Sequence, residues 1–308
     1  MISRFNAGPA DHKMNKGMIK RVLALILPFA LSLSSCDKLP QTPPNESKKP
    51  IVSEGVYKVV AHRGGYLECN RPDCSISSLK YAIGIGCWGS ECDICITGDN
   101  NVLVAHPGSG YLINGLTPYD HTLSELRAAG KLANGEQLPT LQDFLEVILD
   151  KEQNPNGMIL QLDCKRLVKN EKEIDVNHTI RAIKRACEIV QEMKAQKMVE
   201  FLIPTGTDIF NSVNDLVINE YGIYLAWATC TNPAKYGKAG AQLNYTKVLG
   251  SSTTYTPQDY FAADVPLVLY GVDDDAQMEL VIPYYNNLRA IFSNYPAALI
   301  KKLKSKGY

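Results

Sequence analysis

The feature that most constrains the fold is an alternation of short apolar runs with longer segments of helical periodicity. Helical spacing is evident at 75–85, 138–150, 173–193 and after Thr207. Strand-like runs lie between such segments, at 56–61, 87–97, 157–165, 198–204, 222–228, 243–249, 265–272 and 288–293. Largely apolar strands that alternate with helices indicate a parallel sheet covered on both faces. About eight such units in roughly 250 residues favour a (β/α)8 TIM barrel over a doubly wound sheet, although the sixth and seventh runs are weak.

Unusual polar residues cluster where the first three strands end. In a barrel of this kind, catalytic side chains lie at the carboxyl ends of the strands. The first strand ends in a His-Arg pair, two acids lie in the second, a histidine follows a short apolar run, and an acid and a lysine close the third. These residues are His62, Arg63, Glu91, Asp93, His106, Asp163 and Lys165. We therefore expect one site at one rim of the barrel.

The acidic residues predict a metal site. Glu91 and Asp93 are two residues apart, so on a strand both side chains point to the same face. Adjacent carboxylates raise each other's pKa unless a cation lies between them, and Asp163 on the neighbouring strand can add a third oxygen. One hard divalent cation, Ca²⁺ or Mg²⁺, suits such ligands. Zinc is disfavoured, because Cys92 and Cys95 form a CxxC without a second ligand pair.

Six segments in order carry a resemblance to a known family. They are AHRGG at 61–65, RPDCSISSLKYAI at 71–83, ECDICITGDNNVLVAHP at 91–107, LPTLQDFLEVI at 138–148, LDCK at 162–165 and AIFSNYP at 290–296. Together they resemble the signature of the glycerophosphodiester phosphodiesterases, from about Val59 to Pro296. The early segments are specific and the later ones weak. The family's fold is a (β/α)8 barrel, which agrees with the strand pattern.

The resemblance implies a role for each polar residue at the rim. It makes His62 and His106 an acid/base pair, Arg63 and Lys165 ligands of the phosphate, and the three acids the metal ligands. Elementary chemistry agrees, since cations neutralise charge that builds on a phosphodiester in the transition state. Histidine titrates near neutral pH and suits proton transfer. The pattern leaves open whether water or a vicinal hydroxyl of the substrate attacks.

Several positions depart from the family's pattern. The PENT motif appears as Pro72-Asp73-Cys74-Ser75, and the glutamate before the third-strand lysine is Asp163. A tryptophan of the seventh strand corresponds to Tyr270, and the closing TDYP becomes the segment 293–296. No proton-transfer group is lost, so these departures concern metal identity and substrate range.

Other histidines and both tryptophans fit structural roles. His121 precedes a Thr-x-x-Glu capping box, and His178 is predicted on the polar face of a long helix. Trp88 and Trp227 are expected to pack within the barrel. Cys69 and Cys74 share a loop and are candidates for a disulfide.

The N-terminus predicts export. Lys20 and Arg21 precede the apolar run 22–33, which is too short to span a bilayer and contains Pro28. The following LSSC resembles a bacterial lipobox, so Cys36 is expected to carry a lipid anchor in the cell envelope, periplasmic or surface-facing. Translation is expected to start at Met14 or Met18.

These patterns divide the chain into three parts: a leader at 1–36, a flexible tether rich in Pro, Ser, Lys and Asn at 37–55, and a barrel domain at 56–308. Lys plus Arg equals Asp plus Glu at 32 each, so no basic field favours nucleic acid. The sequence leaves the oligomeric state open.

Three functions remain under consideration. The leading hypothesis is metal-dependent hydrolysis of a small-molecule glycerophosphodiester to glycerol 3-phosphate and an alcohol. The second is a phospholipase C-like or D-like activity on intact lipid, although no long apolar loop is evident at the rim. The third is a lipoprotein that binds phosphorylated ligands without turnover, which would predict the loss of a histidine or an acidic ligand.

Overall fold

The computed structural model describes residues 54–169, 172–173, 176–203 and 207–308. The chain divides after Pro44, and the barrel lies in the unit formed by residues 45–308. The predicted leader, Cys36 and nearly all of the predicted tether lie outside the described residues. Among the helices that are described, none is long and apolar enough to cross a membrane.

A closed parallel barrel of eight strands forms the centre of the fold, which confirms the predicted TIM barrel. In order around the barrel its strands are β1, β2, β4, β7, β8, β9, β10 and β11, and β11 pairs with β1. β3 is antiparallel to β2 and lies outside the closed barrel, and β5 pairs with β6. The strands are β1 Tyr57–Ala61, β2 Cys87–Ile96, β3 Val102–Val104, β4 Ile159–Cys164, β5 Val168–Lys169, β6 Lys172–Glu173, β7 Val199–Ile203, β8 Tyr224–Trp227, β9 Gly240–Asn244, β10 Leu267–Tyr270 and β11 Ala290–Ser293.

Helices cover the outside of the barrel between the strands. They are α1 Tyr66–Cys69, α2 Ile76–Gly84, α3 Leu123–Ala129, α4 Leu141–Leu149, α5 Val176–Glu192, α6 Thr207–Asn214, α7 Thr246–Leu249, α8 Pro257–Ala262, α9 Asp275–Val281 and α10 Pro296–Ser305. Several begin at a capping box, in which a hydroxyl of the N-cap residue accepts a hydrogen bond from the third helical residue. Ser75, Thr122 and Thr140 cap α2, α3 and α4 in this way.

Alternation along the strands separates an outer apolar layer from a partly polar interior. On β4, Leu160, Leu162 and Cys164 pack towards the helices, so Gln161 and Asp163 take the opposite face. The same alternation on β7 turns Glu200 inward. Because β-strand side chains alternate, an apolar shell and an inward row of polar groups come from the same short segments.

The sixth barrel strand begins three residues earlier than the sequence predicted. The predicted run was 243–249, whereas β9 ends at Asn244 and Thr246–Leu249 forms α7. The strand begins at Gly240, where an added Cβ would collide with the hydroxyl group of Tyr224 on β8. A glycine is needed here because the tyrosine fills the adjacent space. Because glycine has no side chain, the start of the strand gives no apolar signal in the sequence.

The structure also tests the predictions for the two tryptophans and for the histidines outside the site. Trp227 stacks on Phe210 at 4.3 Å between ring centroids, and Trp88 is buried, so both are packing residues. His121 directly precedes the Thr122 cap, as predicted. The prediction for His178 was wrong, because its side chain is buried against the rings of Tyr111 and Tyr119.

The candidate Cys69–Cys74 disulfide is absent. All eight cysteines within the described part of the chain are free thiols. The Cys69 Sγ faces the carbonyl oxygen of Tyr66, whereas the Cys74 Sγ faces the carboxylate of Asp93. The two thiols are therefore directed to different partners.

Candidate functional site

The turn after β1 sets the orientation of the His-Arg pair. Arg63 adopts a left-handed backbone conformation with φ of 48°, which is uncommon for a residue with a side chain. Gly64 follows at φ 77°, and a Cβ there would lie 2.5 Å from Ser78 Oγ. The tight turn directs the Arg63 backbone N–H to Glu91 Oε2, at 3.0 Å. The glycines of AHRGG thus allow the turn to pack against α2.

Strand register brings the three predicted acids together. Asp93 on β2 lies directly beside Asp163 on β4, and Glu91 lies two residues earlier on β2. One carboxylate oxygen of each acid lies within 4.8 Å of the others. Glu91 and Asp93 are almost fully buried, at 2% and 0% exposure. The predicted acidic cluster is therefore present.

Two cations neutralise most of this buried charge. Lys165 Nζ lies 2.7 Å from both Asp93 Oδ1 and Asp163 Oδ2. Arg63 Nε lies 2.8 Å from Asp93 Oδ2, and its Nη1 lies 3.1 Å from Asp73 Oδ2. Both predicted phosphate ligands thus lie at the acidic cluster, with their side chains partly exposed.

The carboxylates differ in how strongly they hold a proton. Burial raises the pKa of Glu91 well above its usual range, and the charges of Asp93 and Asp163 add to this effect. Burial also raises the pKa of Asp163, although the Lys165 ammonium opposes the change. For Asp93 burial again acts upward, but Lys165 and Arg63 outweigh it and lower its pKa. Of the three acids, Asp93 therefore holds a proton least strongly.

The loop before α2 contacts the acidic cluster and Arg63 through Asp73 and Cys74. Asp73 pairs with Arg63, and the Cys74 Sγ lies 3.6 Å from Asp93 Oδ2. Burial raises the pKa of the Cys74 thiol well above its usual value, so it stays protonated and can donate to Asp93. Sequence reasoning treated this segment as a departure from the family's motif and Cys74 as a candidate for a disulfide. Its contacts depend on the fold and carry no signal in the pattern.

The two histidines occupy different environments. His62 is partly buried, with its ring 5.0 Å from that of Phe292 and its Nε2 3.8 Å from Glu91 Oε2. Burial lowers its pKa, although a hydrogen bond with Asn294 opposes this. His106 is exposed at the rim, directly after Ala105, whose N–H donates to the carbonyl of Asp93. Desolvation lowers the pKa of His106, and Asp93 opposes this effect. Both lowered pKa values favour neutral imidazole near neutral pH.

Two functional candidates were missed by sequence reasoning. Asn294 Oδ1 lies 2.5 Å from His62 Nδ1, and the side-chain amide of Asn294 donates to Asp273 Oδ2 at 2.7 Å. Asn294 was noted only as a change from TDYP, and Asp273 lies in a loop without a recognisable motif. Their proximity to His62 arises from closure of the barrel between β11 and β1.

A cavity of about 330 Å³ opens beside the cluster. Its polar edge includes His62, Glu91 and Asp163. The rest of its lining includes the apolar and aromatic side chains of Leu202, Ala228, Tyr270 and Phe292. Tyr270, which corresponds to the family's tryptophan, therefore lines the cavity beside the acidic cluster. The cavity is large enough for a small molecule.

The acidic cluster fits a hard divalent cation. Its donors are all carboxylate oxygens, which Ca²⁺ and Mg²⁺ prefer. Asp163 Oδ1 is buried and has no hydrogen-bond partner within the described part of the chain. A buried oxygen without a donor is costly, and a cation would satisfy it. Glu91, Asp93 and Asp163 would hold such an ion.

Sequence comparison supports the resemblance over part of the chain. No protein-family model matches. A glycerophosphodiester phosphodiesterase of Caldanaerobacter subterraneus subsp. tengcongensis is 32% identical over 108 residues. The aligned region covers 30% of this chain and 41% of that protein, which is less than half of its length.

Structural comparison extends the similarity to the whole barrel. A glycerophosphodiester phosphodiesterase of Parabacteroides distasonis superposes with a TM-score of 0.68 at 25% identity, over 83% of this chain and 100% of that one. The fold is that of the glycerophosphodiester phosphodiesterases. A phosphodiesterase of Oleispira antarctica in complex with its product sn-glycerol-3-phosphate has a TM-score of 0.59 at 22% identity, over 81% and 97% of the two chains.

Proposed function

We propose that this chain is a phosphoric diester hydrolase that converts glycerophosphodiesters to glycerol 3-phosphate and an alcohol. The observation that carries the proposal is the convergence of two histidines, two cations and three acids at one rim, next to a cavity of about 330 Å³. The relatives named above, one with glycerol 3-phosphate bound, support the choice of substrate class.

The residues at the rim would divide the reaction between them. Arg63 and Lys165 bind the phosphate oxygens and stabilise the negative charge that grows there. One histidine takes the proton from the attacking oxygen as its bond to phosphorus forms. The other gives a proton to the alkoxide that leaves when the second phosphorus–oxygen bond breaks. The accepting histidine therefore starts as a neutral imidazole and the donating histidine as an imidazolium.

A divalent cation bound by the acidic cluster would add further positive charge beside the phosphate. Ca²⁺ or Mg²⁺ held there would supply Lewis-acid chemistry. Glu91, Asp93 and Asp163 would hold the ion, and their contacts with Arg63 and Lys165 keep these carboxylates in place. Metal binding also favours ionised Glu91, whose pKa is raised by burial when no cation is present.

The test is release of glycerol 3-phosphate by the full chain from glycerophosphocholine, glycerophosphoethanolamine and glycerophosphoinositol. We expect turnover with Ca²⁺ or Mg²⁺ and its loss with chelator. Glu91→Gln should lose both activity and the rise in Tm on metal addition, whereas Glu146→Gln, on the outside of the barrel, should retain both. A folded, metal-binding protein that is inactive on every diester would refute hydrolysis. Activity on intact phospholipid alone would instead select the lipase alternative.

We further propose that the mature protein is exported and held in the bacterial cell envelope by a lipid on Cys36. The support is the basic and apolar leader followed by LSSC. In a bacterial host fed labelled palmitate, the full chain should incorporate label and fractionate with membranes. Cys36→Ser should lose the label, whereas Cys69→Ser should keep it. Unlabelled wild-type protein that is found in the soluble fraction would contradict the anchor.

A further inference from the structure

We propose that Asp273, acting through Asn294, holds His62 in the tautomer that carries its proton on Nδ1, and so makes His62 the proton acceptor of the reaction. The tautomer follows from hydrogen-bond chemistry alone. The consequence for catalysis rests on the function proposed above. Asp273 is thus a positioning residue, since it acts on the reacting group through another side chain.

The orientation of the Asn294 amide is determined by Asp273. A carboxylate only accepts hydrogen bonds. Asp273 Oδ2 lies 2.7 Å from Asn294 Nδ2, so the NH₂ end of the amide must face Asp273. The backbone N–H of Asn294 donates to the other oxygen, Asp273 Oδ1, at 2.8 Å. The two contacts hold both oxygens of the carboxylate and leave Asn294 one orientation.

The Asn294 amide in turn determines the tautomer of His62. Its oxygen faces His62 Nδ1 at 2.5 Å and can only accept, so Nδ1 must carry the hydrogen. In the neutral ring, Nε2 then has the free lone pair. Nε2 lies 3.8 Å from Glu91 Oε2, on the side of the acidic cluster and the cavity. The free lone pair is therefore directed towards the position of the substrate.

Neighbouring structure makes the relay rigid. Ser293 Oγ lies 2.6 Å from the carbonyl oxygen of Val272 and 3.1 Å from Asp273 Oδ1, which ties β11 to the loop that carries Asp273. The backbone N–H of Asp273 donates to Gln277 Oε1 at 2.7 Å. The ring of Phe292 also packs against that of His62, with 5.0 Å between the ring centroids. Together with the bond to Asn294, these contacts fix both the orientation of the His62 ring and the position of its proton on Nδ1.

Asp273→Asn is expected to reverse the tautomer. The backbone N–H of Asn294 would still need an acceptor, so the amide oxygen of the asparagine introduced at position 273 would take the place of Asp273 Oδ1. The new NH₂ group would then take the place of Oδ2 and face the Asn294 side chain. Asn294 would then turn its oxygen to residue 273 and its NH₂ to His62. An NH₂ group cannot accept, so Nδ1 would become the acceptor and the proton would move to Nε2.

A second substitution should restore the original state. In the double variant D273N/N294D, the carboxylate introduced at position 294 accepts from the new amide at position 273 and from His62 Nδ1–H. The chain of hydrogen bonds then runs in the original direction with the charge moved by one residue. A merely structural role for Asp273 predicts no such rescue, because each substitution would add its own damage.

The experiment combines tautomer and kinetics in the full chain. With ¹⁵N-histidine labelling, the two ring nitrogens of His62 are assigned among the five histidines by their loss in His62→Gln. We expect Nδ1–H in wild type, Nε2–H in Asp273→Asn and Nδ1–H in the double variant at pH 8. The kcat should fall by about 10²-fold to 10⁴-fold in Asp273→Asn, with little change in KM, and recover in the double variant. Asp275→Asn, an exposed acid nearby, should match wild type.

The possible results distinguish a failure of the positioning role of Asp273 from a failure of the proposed hydrolysis. An unchanged Nδ1–H tautomer in Asp273→Asn, or a reversed tautomer with kcat within about threefold of wild type, would overturn the positioning role. If wild type hydrolyses no diester, the ¹⁵N data still decide whether Asp273 sets the tautomer. If Asp273→Asn is too unstable to measure, Asn294→Ala removes the acceptor and should give a mixture of tautomers. A single Nδ1–H species there would also overturn the proposal.

Discussion

His62→Ala and His106→Ala should each lower the kcat for glycerophosphodiester hydrolysis by about 10²-fold to 10⁴-fold. One substitution removes the group that takes the proton and the other removes the group that returns it, so the loss should fall mainly on kcat. His62 is partly buried and its Nε2 lies 3.8 Å from Glu91 Oε2, whereas His106 is exposed, so the two variants test histidines in different environments. Steady-state release of glycerol 3-phosphate measures both effects.

A matched histidine provides the control for this loss. His121 has no role in the proposed reaction, and its Nδ1 lies 2.8 Å from the carbonyl oxygen of Thr117, in a loop before α3. His121→Ala should keep the wild-type kcat. If His62→Ala or His106→Ala kept more than about a tenth of the activity while folded, the assignment of that histidine to proton transfer would be wrong.

Arg289→Leu should lower the free energy of unfolding by about 3–5 kcal/mol, because it leaves the buried Glu200 carboxylate without its cation. Arg289 and Glu200 form an ion pair inside the barrel, and both side chains are less than a tenth exposed. The guanidinium also lies 4.1 Å from the ring centroid of Tyr224 and 5.1 Å from that of Trp88. Urea unfolding of wild type and variant at pH 7 measures the difference.

Removal of both Arg289 and Glu200 should lower the free energy of unfolding less than removal of Arg289 alone. The double variant R289L/E200L leaves no uncompensated charge, so it should be more stable than Arg289→Leu alone. Lys306→Met breaks an exposed ion pair with Glu279 and should have little effect on unfolding. A change of less than about 1 kcal/mol in Arg289→Leu would show that water or repacking compensates Glu200.

Local patterns were sufficient for most of the barrel. Seven of the eight predicted strand runs contain the observed strands, because each parallel strand is a short, largely apolar segment between segments of helical periodicity. The sixth run was displaced, since its strand begins at Gly240 and contains Ala241 and Gln242, which carry little apolar signal. His178 was assigned to a polar face because tertiary contacts with Tyr111 and Tyr119 cannot be read from helical spacing.

The acidic cluster was predictable for a different reason. Alternation places Glu91 and Asp93 on one face of β2, and adjacent parallel strands bring Asp163 beside Asp93. Both relations follow from strand geometry once the order of strands is known. The charge balance was not predictable, because it depends on Lys165 lying between two carboxylates and on Asp73 holding Arg63.

The amino-acid sequence by itself determined the barrel, the rim that carries the site and the chemical types gathered there, since these follow from periodicity and from strand ends. Only the tertiary structure decided which groups touch. Asp273 and Asn294 lie more than 200 positions from His62 in the chain, and they reach it because β11 closes the barrel against β1. The direction of a hydrogen-bond chain is set by distances and angles in three dimensions, which no local pattern encodes.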